Sequence, residues 1–378
     1  MRLSLLVFLC FVCGPAQAAS PGGLTVRSVE FKATQEGEGP PISMPFVQST
    51  PARVAANIND RLFLARLGVL APKRPPAVLV DANASAVTGQ ASQSFSVLRN
   101  DRRVLSIDFE IEGCGAYCET YHETYAFDRR TGRLLDPRDL FTPDGMADLR
   151  RQLQRARLVQ YRQALASLRQ ERREAIRKGQ AGNLDDIKER IHLNRGCIGE
   201  GNHTDRSPGD GTLAQVQPGT LGGRFSLLSQ DLELTAERCS NHAMRALDDV
   251  GDVSLTLPYA QVRSAMTPYG KSVLLNDGSV PPTPSPYGQL LRGRLGGRTA
   301  VTLLLESYPD HTVSGTLYFH DPARRAIALR GREEGARIEL EAFADEGQPA
   351  TATLRLTRVG TRLSGQFGEQ SIDLPLAP

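Results

Sequence analysis

The sequence lacks the short motifs that mark many catalytic sites. It contains no GxSxG nucleophile motif, no P-loop, no HExxH zinc motif and no glycine-rich dinucleotide fingerprint after a strand. These absences exclude the enzyme classes that depend on those motifs. They favour a binding protein without a cofactor or a catalytic residue.

The chain also lacks a large excess of charge of one sign. Its 45 Lys and Arg residues and 42 Asp and Glu residues give a formal net charge of +3 at pH 7. Because nucleic-acid-binding domains carry a strong basic surplus, this balance predicts no nucleic-acid partner. One segment departs from the balance, since residues 144–195 hold thirteen basic and only seven acidic residues.

Long apolar runs are absent except at the start. Residues 3–13 follow Arg2 and precede Ala16-Gln17-Ala18, a small-x-small cleavage signal, so residues 1–18 are predicted to be a secretory signal peptide. No run reaches the ~20 apolar residues that a membrane helix requires. We therefore expect a periplasmic or secreted protein with no membrane span after signal removal. Lipoprotein anchoring through Cys13 is the alternative, which the bulky residues before that cysteine disfavour.

Cysteine is scarce. Beyond the signal peptide the cysteines are Cys114, Cys118, Cys197 and Cys239. An even number in an oxidising compartment predicts two disulfides, and of the three pairings we favour Cys114 with Cys118 and Cys197 with Cys239. The alternative is zinc, bound either by these sulfurs or by His192, Cys197 and His203. Beyond the signal peptide the chain has no CxxC pair, and Cys197 is needed for a disulfide, so both zinc sites are disfavoured and no metal is predicted.

The strongest positive signal is an alternating segment at residues 104–141. Apolar and polar residues alternate from Leu105 to Glu112, which is typical of a half-buried strand. A second alternating run at residues 121–128 follows the loop that contains Cys114 and Cys118, so the two runs predict a β-hairpin. Its polar side, which we call the acidic face, comprises Asp108, Glu110 and Glu112, with His122 beside them on the second strand.

The acidic face is the candidate site for a ligand or partner. A row of carboxylates can bind a cation. It can also act in general acid–base catalysis when burial or a charged neighbour shifts the pKa values of the carboxyl groups. The alternative is a structural face, either solvated or covered by the arginine-rich segment 144–195 through ion pairs. The sequence leaves these alternatives open.

Residues 24–275 are predicted to form an α+β domain, an antiparallel sheet with packed helices. Before the hairpin we expect a strand at 24–32, a short edge strand at 45–47 and a helix that begins at Thr50-Pro51. After it we expect an amphipathic helical stretch within 144–195, broken at 179–182, then a second hairpin at 224–235, a strand at 253–258 and a helix at 259–266.

The C-terminal part has a different character. Residues 276–286, NDGSVPPTPSP, predict an extended, semi-rigid linker. Residues 287–378 have no helical period and contain successive short strands separated by turns, which predicts a small all-β barrel or sandwich. A barrel of this length could hold a small ligand or be filled with side chains, and the filled version is favoured.

Residues 104–141, which include TYHETYAFDRRTGRLLDPRDLF, resemble a bacterial extracytoplasmic domain of unknown function. That domain forms the outer part of lysozyme-sensing anti-sigma factors and also occurs beside peptidoglycan deacetylase domains. Residues 42–45, 55–59 and 255–259 resemble its proline strand, its asparagine-bearing first helix and its closing strand, so the resemblance covers residues 24–270. It implies an exported α+β module that binds something in the cell envelope.

In that family a relative binds a basic muramidase, which an acidic face would suit. The family's Gly-Ala-His-like loop is replaced here by the loop between Cys114 and Cys118, so no contact residues carry over. The sequence thus predicts an exported, non-catalytic bacterial envelope protein that binds a protein or a cell-wall ligand. The alternative is an envelope glycan-processing enzyme that uses Glu110 or Glu112 of the 105–128 hairpin.

Overall fold

The computed structural model describes residues 24–32, 42–76, 78–80, 90–115, 117–199, 221–321, 325–343 and 349–376. The predicted signal peptide and His203 lie outside these residues. Within them the chain forms an N-terminal α+β region followed by a closed antiparallel barrel, which confirms the predicted fold class. No helix in the described ranges is both long enough and apolar enough to cross a membrane.

A seven-stranded mixed sheet forms the first layer. Its strands are β1 (Thr25–Lys32), β2 (Ile42–Gln48), β3 (Val78–Val80), β4 (Gln90–Asn100), β5 (Val104–Cys114), β6 (Cys118–Asp128) and β7 (Arg133–Leu134). Their order across the sheet is β3-β1-β2-β4-β5-β6-β7, with β1 parallel to β3 and β2 parallel to β4. The predicted hairpin is therefore the pair β5–β6, at one side of a larger sheet.

The edge position predicted for residues 45–47 is wrong, because β2 lies between β1 and β4. Pro45 is tolerated there since β2 pairs with β4 at a single position, Ile42 with Gln93. Asn59 satisfies part of the backbone that β4 leaves unpaired. Its buried side chain accepts the Val47 N–H at 2.7 Å and donates to the Val47 carbonyl at 2.8 Å.

Helix α1 (Ala52–Leu67) covers one face of this sheet. Its buried side chains, among them Ile58 and Leu62, join Leu105, Ile107 and Phe109 of β5 in one apolar cluster. The apolar positions of the alternating segment therefore face α1, as their period predicts.

The opposite face of the sheet meets a second layer. This layer contains α2 (Pro137–Leu140), α3 (Pro143–Arg177), α4 (Leu184–Cys197), α5 (Pro268–Leu274) and a small sheet of β8 (Arg224–Leu227), β9 (Asp231–Ala236) and β10 (Val253–Pro258) in the order β10-β9-β8. Val104 and Ala126 of the hairpin share a core with Leu149 of α3 and Leu234 of β9. At its base the hairpin is thus buried on both faces.

Two helix starts with the same sequence pattern lie against each other in this second layer, and each hydrogen-bonds to the segment that precedes the other. We call this arrangement the crossing. The sequence T-P-x-G occurs at Thr142–Gly145 and again at Thr267–Gly270, and each begins a helix with a threonine cap and a proline in the first turn. The Thr142 N–H donates to the Ala265 carbonyl and the Thr267 N–H to the Leu140 carbonyl, both at 2.9 Å. The prediction of a helix at 259–266 is wrong. Only Arg263–Ala265 forms a short helical turn, and Ala265 accepts one of the hydrogen bonds of the crossing. The next α-helix, α5, begins only after the Thr267 cap.

Both favoured disulfides are present, Cys114 with Cys118 and Cys197 with Cys239. The second joins the end of α4 to the segment after β9. The Tyr161 hydroxyl of α3 accepts the Cys239 N–H at 2.9 Å and donates to Asp248. Burial raises the pKa of Tyr161 to about 12, so the phenol stays protonated and serves as a fixed donor at neutral pH.

The C-terminal barrel closes with eight antiparallel strands. They are β11 (Leu290–Leu295), β12 (Thr299–Ser307), β13 (Thr312–Phe319), β14 (Ala326–Glu334), β15 (Arg337–Phe343), β16 (Ala352–Val359), β17 (Arg362–Phe367) and β18 (Gln370–Pro375). Alternate residues such as Leu303, Leu317, Leu340 and Leu354 form one buried apolar cluster. This matches the filled interior that the sequence favours.

The barrel packs directly on α1. Leu64 of α1 is buried with Leu304 and Tyr318 of the barrel. Beside this contact, Arg61 donates to Glu306 at 2.7 Å, and the Arg61 side chain is only 3% exposed. Its Nε and Nη1 atoms have no hydrogen-bond partner among the described residues. Glu306 is therefore the main counter-charge for a guanidinium group that burial removes from water.

We predict that Gly270→Ala destabilises the protein by about 3 kcal/mol, because a Cβ at Gly270 would collide with the Leu140 carbonyl. At Gly196 of α4 a Cβ would meet no atom within 4 Å, so Gly196→Ala is the control and should stabilise by about 0.5 kcal/mol. Urea unfolding measures both variants. Equal effects of the two substitutions would contradict the crossing as the cause.

Glu306→Gln should destabilise the chain by about 2 kcal/mol, because it leaves the buried Arg61 charge without its carboxylate. Glu341→Gln, at an exposed carboxylate on the outside of the barrel, is the matched control and should change little. Urea unfolding followed by circular dichroism gives both values. A loss of stability no larger than that of the control would contradict the role of Glu306 as counter-ion.

Candidate functional site

The register of the hairpin decides which polar residues become neighbours. β5 and β6 pair without a bulge, so that Asp108 lies opposite Thr124, Glu110 opposite His122 and Cys114 opposite Cys118. Asp108, Glu110 and Glu112 therefore share one face with His122, as the alternation predicts.

The structure divides this acidic face into two parts. Near the base, Val104 and Ser106 are fully buried beneath the second layer. Asp108 lies at the border, with its side chain 15% exposed. Glu110 is exposed and Glu112 is half-buried. Only the half of the face toward the hairpin tip is open to a partner.

Asp108 is the centre of the contacts at this border. His122 Nδ1 lies 2.8 Å from Asp108 Oδ2, and the Thr124 hydroxyl donates to Asp108 Oδ1 at 2.9 Å. Arg224 of β8 adds an ion pair, with its Nη1 atom 3.6 Å from Asp108 Oδ1. The structure thus brings Asp108 and His122 into contact, whereas Glu110 and Glu112 form no hydrogen bond or ion pair with either of them.

Burial raises the pKa of the Asp108 carboxyl above its ordinary value. The hydrogen bond from Thr124 and the positive charge of Arg224 act in the opposite direction but do not cancel the burial. Because the folded pKa is raised, the stability that the protonated carboxyl contributes is present below pH 3.8 and is lost as the pH rises through the folded pKa.

The residue that covers Asp108, at the inner end of the acidic face, is Arg224, which the sequence did not indicate. Within the described ranges, the ion pairs of this face reach His122 and Arg224, and none reaches α3 of the arginine-rich segment. Arg224 opens a predicted strand more than a hundred residues after Asp108. No local pattern links the two, so only the packing of β8 on the hairpin identifies this pair.

The two outer carboxylates have few contacts. Glu110 forms no hydrogen bond or ion pair with any residue that the structure describes. Glu112 accepts a long hydrogen bond of 3.4 Å from the Ser92 hydroxyl. These carboxylates remain available to a positively charged or hydrogen-bond-donating ligand.

The tip of the hairpin is held in place by two contacts. The Cys114–Cys118 disulfide closes the loop, and Glu119 forms an ion pair with Arg238, which follows β9. Tyr117 projects between the two cysteines with 70% of its surface exposed. An aromatic ring on a fixed loop is a typical interface residue, because little conformational entropy is lost when it is covered.

One group of potential metal donors occurs here. The donor atoms of Glu112, Cys114 and Cys118 lie within 4.8 Å of one another. Both sulfurs are bonded to each other, so neither is a thiolate that could bind a metal ion. Cys197 is likewise in a disulfide, which removes it from the alternative set with His192 and His203.

The Asp108–His122 pair can also offer a hydrogen-bonding group to a ligand. A carboxylate that contacts Nδ1 of a histidine fixes the orientation of the ring and leaves Nε2 for a second hydrogen bond. His122 is exposed by 36%, so its ring can reach a ligand bound on the open half of the face.

Neither the family models nor the curated proteins that were compared with this chain gave a match.

An NMR titration of the Asp108 carboxyl carbon should give a pKa above 3.8. Arg224→Gln and Thr124→Val should each raise it further, because each removes a contact that favours the ionised carboxylate. Arg172→Gln, at an exposed arginine of α3, is the control and should leave the pKa unchanged. An equal shift in the Arg172 and Arg224 variants would contradict Arg224 as the covering residue.

Proposed function

We propose that this chain is an exported, non-catalytic envelope protein that binds a basic protein or a cell-wall ligand with the open half of its acidic face. The observation that carries the proposal is the exposed Glu110 carboxylate, which has no partner in the described part of the chain. It stands beside Glu112 and His122 on a strand pair that is buried at its base.

The packing and cross-links that hold this surface in one conformation favour binding. The hairpin base packs on α1 on one side and on the second layer on the other. The ion pair between Glu119 and Arg238 and the disulfide hold the tip. A surface that is already fixed loses little entropy on association, so more of the contact energy appears as affinity.

The chemistry of the ligand follows from the charges. Glu110 and Glu112 complement Lys, Arg or amino groups, and Tyr117 offers an aromatic surface for packing. The disulfides are those expected of an exported protein. The resemblance to the domain of lysozyme-sensing anti-sigma factors agrees with a basic muramidase as the first partner to test.

The full chain should bind a basic muramidase or soluble peptidoglycan fragments in isothermal titration calorimetry. Glu110→Lys combined with Glu112→Lys should weaken that binding by about tenfold or more, because each substitution replaces attraction by repulsion. The control is Glu334→Lys with Glu341→Lys, two exposed carboxylates of the barrel, which changes the net charge equally.

Failure of the unmodified chain to bind either probe would contradict the proposal. Equal weakening in the hairpin and barrel variants would assign the effect to net charge alone.

A second candidate is an envelope glycan-processing enzyme. The observation in its favour is the 2.8 Å contact between Asp108 and His122, which resembles the pairing of a general base with its orienting carboxylate. Glycan turnover by the full chain tests it, together with Glu110→Gln/Glu112→Gln and His122→Asn variants. Turnover that survives both variants would remove this candidate.

A further inference from the structure

The longest helix, α3, carries a row of arginines that the acidic face does not use. We call this row the arginine stripe, and its members are Arg155, Arg162, Arg169, Arg173 and Arg177. At 3.6 residues per turn, all five lie within roughly 40° of a single line along the helix. From Arg155 to Arg177 the line is ~33 Å long, at 1.5 Å per residue.

The stripe lies on the solvent side of α3. The opposite side of the helix is buried and includes Leu153, Tyr161, Leu165 and Leu168. All five arginines of the stripe are exposed. The main apolar side is therefore already occupied by the protein's own core, and the outward side is mostly charged, with Val159 and Ile176 as its exposed apolar residues.

Four members of the stripe have no partner among the residues that the structure describes, namely Arg155, Arg162, Arg173 and Arg177. The two acidic residues near the C-terminal end of α3 form ion pairs with residues outside the stripe. Glu171 pairs with Arg190 of α4, and Glu174 pairs with Lys178.

In the neighbouring helix, α4, basic side chains form ion pairs with acidic residues of the same chain. In α4, Lys188 pairs with Asp185, and Arg190 pairs with Asp186 and Asp249. In the stripe, by contrast, Arg173 and Arg177 lie four residues apart, and neither has a partner among the residues that the structure describes. Like charges at this spacing destabilise a helix, so the stripe is unfavourable for the isolated protein.

We propose that the arginine stripe binds a linear polymer that carries phosphate groups along its length. Guanidinium groups form bidentate hydrogen bonds with phosphate oxygens, which a lysine ammonium does not. A single file of arginines along one helix matches a polymer that can lie along it and contact the four unpaired members in turn. Each bound phosphate would also relieve the repulsion between neighbouring arginines.

A flat anionic bilayer fits this surface less well. Helices that bind membranes insert an apolar side, and the apolar side of α3 is buried. Moreover, α4 begins with Asp185 and Asp186, whose side chains are 87% and 60% exposed, and an extended anionic surface would approach them. A narrow polymer along α3 avoids those charges.

Nucleic acid bases would also find no support here. Binding of single strands depends on aromatic side chains on which bases stack. Tyr161 is the single aromatic residue of α3, and it is completely buried. The stripe therefore recognises phosphates and offers no surface for bases.

The test measures binding of long-chain inorganic polyphosphate to the full chain by fluorescence anisotropy over a range of salt concentrations. The test variant replaces Arg155, Arg162, Arg173 and Arg177 by Gln, a residue of similar helix propensity. The control variant replaces four exposed arginines outside α3 by Gln, namely Arg27, Arg53, Arg298 and Arg337.

In the test variant the dissociation constant should rise by roughly tenfold or more, and the slope of log K against log salt should become shallower by about 3. The melting temperature should stay the same or rise, because repulsion is removed. The control variant should bind like the unmodified chain. Pyrophosphate should bind much more weakly than the polymer at equal phosphate concentration.

Four outcomes would overturn the proposal. They are no binding of polyphosphate by the unmodified chain, equal losses in the two arginine variants, tighter binding to phosphatidylglycerol vesicles than to polyphosphate, and tighter binding to single-stranded DNA per phosphate. The muramidase and peptidoglycan assays of the acidic face use a different surface, so either proposal can fail without the other.

Discussion

The N-terminal architecture depends on the contacts of one carboxylate, that of Asp128. This side chain is fully buried at the end of β6. It accepts hydrogen bonds from the Tyr269 hydroxyl of α5 at 2.9 Å and from the Arg130 N–H at 2.8 Å, and it forms an ion pair with Arg130. A buried carboxylate without such partners would be strongly unfavourable. Its burial therefore requires that the hairpin, the turn after it and α5 be assembled together.

The turn after Asp128 then determines how the two layers meet. Gly132 adopts φ +74° and comes so close to α1 that a Cβ there would touch the Val54 carbonyl. The Asn57 side chain of α1 donates to the Thr131 carbonyl at 3.1 Å. The conformation of a short turn thus fixes α1 against one face of the sheet, while Asp128 fixes α5 on the other. The hairpin becomes a rigid platform because both of its faces are occupied at the base.

Two surfaces of opposite charge remain outside this scaffold. The acidic face opens only beyond Asp108, where Arg224 marks the limit of the second layer. The arginine stripe lies on the outer side of α3, whose inner side belongs to the core. Among the described residues no ion pair joins these two surfaces, although such pairing was the structural alternative for the acidic face. Each surface therefore keeps exposed charged side chains that no described residue neutralises, namely Glu110 on the acidic face and Arg155, Arg162, Arg173 and Arg177 on the stripe.

The sequence by itself determined the local structure. Alternation located β5 and β6, the period of leucines located α3, and the turn residues located most strands of the barrel, because these signals arise from neighbours within a few residues. The tertiary structure decided the rest. The place of β2 inside the sheet, the reciprocal crossing at Thr142 and Thr267, and the pairing of Arg224 with Asp108 depend on residues distant in sequence. Such contacts leave no periodic pattern, since each is fixed by the packing of whole elements. Of the acidic face, the sequence identified the members, and the fold decided which of them water and a partner can reach.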